Sequence, residues 1–134
     1  MRASAWLRMA DDRLVATRRI AAVDLWGPGQ ERRPEAGQQA RIMACVDGVE
    51  DAWAVVAACR AERGGELIAG LLSAVAAAEA SPVHVAFVYG LHFGGELSRW
   101  THGRTIPLTD SRVPELHKIR DEPGRGLVAS SRRR

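Results

Sequence analysis

A chain of 134 residues with 46% hydrophobic and 26% charged side chains has the size and make-up of one small soluble domain, which argues against a disordered or fibrous protein. Its longest weakly polar stretch, Leu67 to Ala78, is 12 residues where a spanning helix needs about 20, and the N-terminus breaks into Asp11 and Asp12 before any apolar region develops. No membrane span or secretory leader is therefore expected, and a cytoplasmic location is. The net charge of +3 is unevenly placed: residues 1–98 hold ten basic and twelve acidic groups, and residues 99–134 hold nine basic and four acidic.

Taken in chain order, Ala5 to Ala10 and Leu14 to Thr17 are short apolar runs around Asp11-Asp12-Arg13, which predicts a hairpin because aspartate tolerates turn geometry and bonds to nearby backbone. Ile20 to Trp26 predicts a third strand. The stretch from Gly27 to Gln38 is polar and rich in breakers, hence an exposed loop, and Ala40 to Val46 predicts a fourth strand. In that strand Arg41, Met43 and Cys45 form a second face that is less polar than solvent alone would favour, so a groove or a subunit contact is expected there.

Two consecutive alanine-rich helices are predicted next. For the first, Asp47 can cap, Glu50 and Asp51 sit in the first turn, and Arg60 and Arg63 sit in the last turn before Gly64 and Gly65, with Trp53 and Val56 on a core stripe. The second runs from Glu66 to Ala80. Leu67, Ile68, Leu71, Leu72 and Val75 form its apolar stripe, and Gly70, Ala74 and Ala77 form a smooth side open to a partner. Ser81-Pro82 ends it, because proline lacks the donor and biases its predecessor away from helix.

Val83 to Tyr89 is a strand in which alternation separates Val83, Val85, Phe87 and Tyr89, read as the core face, from His84, Ala86 and Val88. Gly90 to Gly95 then reads as a glycine-rich loop, followed by a further hairpin of Glu96 to Trp100 with Thr105 to Leu108. The fold class expected is α+β: a mainly antiparallel sheet of about five or six strands with two consecutive Ala-rich helices packed on one face. Residues 1–108 form the domain. Residues 109–134, interrupted by Pro114, Pro123, Gly124 and Gly126 and closed by Arg132, Arg133 and Arg134, form a basic C-terminal tail that is mobile or ordered by a partner.

Chemistry-bearing patterns are sparse. His84, His92, His102 and His117 lack the spacing of zinc ligands, and no metal or other cofactor is expected. Cys45 and Cys59 make no disulfide framework, although a bond between them is left open, and a Cys45–His84 pair would require the fourth and fifth strands to be antiparallel neighbours. A glycine loop after a strand can cradle an anion. With the nearby basic and aromatic groups, that makes Gly90, His92, Gly94, Gly95, Arg99, Trp100 and Arg104 the candidate ligand-binding residues, with no catalytic residue assigned.

The favoured function is a non-enzymatic protein-interaction module that binds itself as a homo-oligomer or binds another protein. One alternative is a nucleic-acid-binding accessory protein using Arg132, Arg133 and Arg134, although codon bias can supply the arginines, which are eighteen of the nineteen basic residues. A second alternative is a small enzyme or phosphate-ligand binder using the loop at residues 90–95.

Overall fold

The computed structural model of the chain describes residues 3–30, 33–47 and 52–107. Within them the order is β1 (Ser4–Arg8), β2 (Leu14–Ala16), β3 (Ile20–Trp26), β4 (Gln39–Val46), β5 (Trp53–Arg60), α1 (Gly64–Glu79), β6 (Val85–Phe93) and β7 (Glu96–Gly103). Short 3-10 turns precede β3 and α1. The architecture is α+β, but the expected single sheet of five or six strands is two sheets, and one helix stands where two were expected. The first sheet has the order β2-β1-β6-β7 and the second the order β3-β4-β5. Every neighbouring pair is antiparallel except β1 and β6, which run parallel with Trp6 beside Phe87.

The first predicted helix is the main correction. Residues 48–51 lie outside the described residues, and Trp53–Arg60 is strand β5, paired along its length with β4 from Cys45 opposite Trp53 to Gln39 opposite Arg60. Alanine is a good helix former but does not resist a strand, and Trp53, Val55 and Val56 favour one. The register shifts between Ile42 and Met43, so that two β5 residues oppose a single step of β4. That bulge turns Val56 and Ala57 inward in succession, which breaks the alternation a strand would otherwise show. Asp47 closes the end of β4, its backbone N–H donating to the Arg19 carbonyl.

The second predicted helix is present as α1. Leu67, Leu71, Ala74 and Ala78 are buried along one face of it, which lies between the two sheets. Gly64 at its start lies against the Leu25 side chain, and Gly70 faces Trp100. Of the smooth side expected, Ala74 is thus buried in the core and Gly70 half-buried against Trp100, while Ala77 faces outward. The helix is held at both ends. Arg63 donates to the carbonyls of Leu97 and Ser98 at 2.9 and 3.1 Å, and the Thr17 hydroxyl donates to Glu79 Oε2 at 2.7 Å.

Alternation in β6 runs opposite to expectation. Ala86 and Val88 are 1% and 0% exposed on the inner face, while Val85, Phe87 and Tyr89 point outward. The reason is the closeness of α1: it brings Leu67 and Leu71 down onto the sheet, so Ala3, Ala5 and Ala86 suit the contact better than larger side chains would. In the second sheet the apolar outer face suspected from Arg41, Met43 and Cys45 is covered by this chain's own residues. Trp26 and Trp53 lie with ring centroids 5.2 Å apart, and Met43, on the same face, is buried.

Strand β6 runs through Gly90, Leu91 and His92 to Phe93, so the expected loop at residues 90–95 shrinks to a two-residue turn. Gly94 and Gly95 both have positive φ, 61° and 83°, as a type I′ hairpin requires. The second strand expected at Thr105–Leu108 is absent among the described residues, since β7 itself pairs with β6 from Glu96 to Gly103. No described helix is long and apolar enough to cross a membrane.

Candidate functional site

The two sheets meet where β1 ends. Ala10 donates its backbone N–H to the Val55 carbonyl at 3.0 Å, joining the first hairpin to the free edge of β5. Beside this seam is an open cavity of about 200 Å³ whose wall includes Met9, Val56, Gly90, His92, Gly95 and Trp100. Four of the candidate ligand residues, Gly90, His92, Gly95 and Trp100, therefore do converge. The β-bulge supplies the opposite wall, which sequence patterning could not reveal because β5 reads as helix.

The other candidates disperse. Arg99 pairs across from Leu91 and is exposed, Arg104 is exposed beyond the end of β7, and Gly94 sits at the hairpin tip. Trp100 is 9% exposed and its indole N–H donates to the Leu67 carbonyl at 2.9 Å, so the ring packs α1 onto the sheet. Gly90 gives room to that packing: a Cβ there would stand 2.5 Å from Leu97 Cδ1. Arg132, Arg133 and Arg134, with the whole tail from residue 109, lie outside the described residues.

At about 200 Å³ the cavity falls below the roughly 300–1,000 Å³ of pockets that enclose drug-sized ligands. Arg8, which also borders it, has its guanidinium 5.8 Å from the centre of the Tyr89 ring and donates to the Pro107 carbonyl. Its charge is thus engaged on the outer side of the sheet. Among the described residues no three His, Cys, Asp or Glu side chains gather in the way a metal ion needs.

Cys45 and Cys59 are both free thiols. They stand at opposite ends of the β4–β5 ladder, Cys45 opposite Trp53 and Cys59 opposite Ala40, so no bond joins them. Cys45 lies on β4 and His84 immediately precedes β6, a strand of the other sheet, so the two are not neighbours on one ladder as that pairing required. Burial pushes the Cys59 thiol up from its ordinary value, the reverse of what a nucleophile needs. Glu62 is held below the ordinary carboxylate value, chiefly by the Gly37 backbone N–H at 2.8 Å and then by Arg60.

A second surface stands out for its composition, the outward side of α1. Gly65, Ala69, Leu72, Ser73, Ala76 and Ala77 are exposed there, and no charged residue occurs from Leu67 to Ala78. Leu72, 53% exposed, is its largest side chain. The twelve-residue apolar run is visible in the sequence, but which of its residues face outward depends on where the sheets lie. Comparison with family models, with curated proteins and with solved structures finds no match to this chain.

Proposed function

We propose that the protein is a non-enzymatic interaction module that pairs with a second copy of itself through the outer side of α1. One observation carries this reading: the exposed side of a central helix has no charge over three turns and presents Leu72 among alanines. A solvated helix face ordinarily carries charged residues, and a helix apolar all round is ordinarily covered. Ala69, Leu72 and Ala76 recur at i, i+3 and i+7 on one helical face, and the small neighbours let a second helix approach to about 8–10 Å between axes. A symmetric pair of such helices places Leu72 of each copy against the alanines of the other.

The size of the seam cavity and the engagement of Arg8 on the outer sheet face speak for packing at the glycine strand over catalysis. The test is Leu72→Arg, which leaves the buried side of α1 untouched. It should shift the particle mass at micromolar concentration to that of the monomer while the melting transition stays cooperative. A variant that keeps the wild-type mass would remove the helix pair from consideration.

A further inference from the structure

The seam cavity lies where two strands leave their ladders. In the β4–β5 ladder Met43 pairs with Val55 and Ile42 with Ala57, which leaves Val56 as the extra residue. In the β6–β7 ladder Leu91 pairs with Arg99 and His92 with Leu97, which leaves Ser98 extra. A regular strand puts only alternate residues on one wall, and the first bulge lets Val56, Ala57 and Ala58 all line the cavity in succession. Across from them, Gly90 and His92 continue the inward alternation of Ala86 and Val88 along β6. His92 Cε1 lies 3.6 Å from where a Gly90 Cβ would stand, so the imidazole leans back over the glycine beside the open space.

The chemistry of the wall restricts what fits. Met9, Val56, Ala57 and the Trp100 ring make it largely apolar. The Trp100 indole N–H donates to the Leu67 carbonyl, and the Arg8 guanidinium is turned to the Pro107 carbonyl and the Tyr89 ring. Among the described residues no carboxylate borders the cavity. A charged molecule would find no counter-charge turned toward it, so an uncharged one is favoured. His92 is the side chain of the wall that can both donate and accept a hydrogen bond. Water finds few partners on such a wall and is displaced at little cost by an apolar occupant. An apolar cavity of roughly 150 Å³ holds one benzene ring. The seam cavity, at about 200 Å³, leaves room for one small substituent besides.

We propose that the seam cavity is a binding site for a small uncharged molecule made of one aromatic ring and one hydrogen-bonding substituent such as a hydroxyl. The ring lies between Val56 and Trp100, and the substituent bonds to His92. No residue of α1 is in the wall, so the site goes beyond self-association and does not depend on it.

The test titrates phenol, toluene and benzoate into the full chain with methyl-labelled methionine, followed by NMR. Met9 lines the cavity, and Met43, buried on the outer face of the second sheet, is the internal control. Phenol should move the Met9 methyl signal saturably with a Kd of about 1 mM or below and leave Met43 in place. Benzoate should cause no saturable shift. His92→Phe should weaken phenol at least about fivefold and leave toluene within about twofold, because it removes the hydrogen bond and keeps a ring. Ala58→Leu, at an exposed position of the wall, should abolish phenol and toluene binding while the melting temperature stays within a few degrees of wild type. An unsaturable phenol shift shared by Met9 and Met43 would overturn the proposal, as would undiminished binding to the Ala58→Leu chain. Benzoate bound as tightly as phenol, or phenol affinity unchanged in His92→Phe, would contradict the chemistry assigned to the site.

Discussion

Gly90 shows how one residue at the seam sets local packing. Its missing Cβ leaves the space that Leu97 and the Trp100 ring occupy, and Leu97 is almost fully buried. Gly90→Ala should therefore force an overpacked contact and cost about 1–3 kcal/mol, read as a lower denaturant midpoint at unchanged slope. The two thiols differ for a related reason. Cys59 is buried and its pKa is raised by burial, while Cys45 is half-buried. In the native protein at pH 8 one thiol should react readily with a thiol reagent and the second only on unfolding. Because the folded pKa of Cys59 lies above the unfolded one, its contribution to stability is complete below the ordinary thiol value and is lost as pH rises through the folded value. Cys59→Ala should accordingly remove part of the stability decline at alkaline pH, which denaturation at pH 8 and pH 10 would reveal.

At the scale of elements, α1 joins the two sheets, and Leu71, 1% exposed, is its central anchor. Leu71→Ala should destabilise by about 2–5 kcal/mol and lower the melting temperature by at least about 10 °C. Glu62 acts at the other end of the same region. Its carboxylate accepts from Gly37 and Arg60, which ties the turn before β4 to the start of α1. Since its folded pKa is lowered, that contribution is present above the ordinary carboxylate value and is lost as pH falls through the lowered one. Glu62→Gln should lower the denaturation midpoint at pH 7, with the gap from wild type closing near pH 3.

The Asp11-Asp12-Arg13 hairpin, the strands at Ile20–Trp26 and Ala40–Val46, and the helix ending before Pro82 are legible in the sequence because they rest on turn chemistry and period. Strand β5 was not legible. Its alanines fit either conformation, and what selects the strand is the ladder with β4, a non-local interaction that periodicity within the segment does not reveal. The inversion of β6 has the same origin, because the depth at which α1 sits decides whether Ala86 or Phe87 faces inward. Of the candidate site, Gly90, His92, Gly95 and Trp100 converge since they share one hairpin, whereas Arg99 departs because its register partner Leu91 points outward.

For the whole molecule, the outer side of α1 stands out among the described residues as an apolar surface left exposed once the core is formed. A second copy of the chain is its proposed occupant. The claim that this is a self-associating module is tested most directly by sedimentation equilibrium of the full chain across micromolar concentrations. The mass should rise with concentration toward twice 14.6 kDa, and a constant 14.6 kDa throughout would contradict self-association.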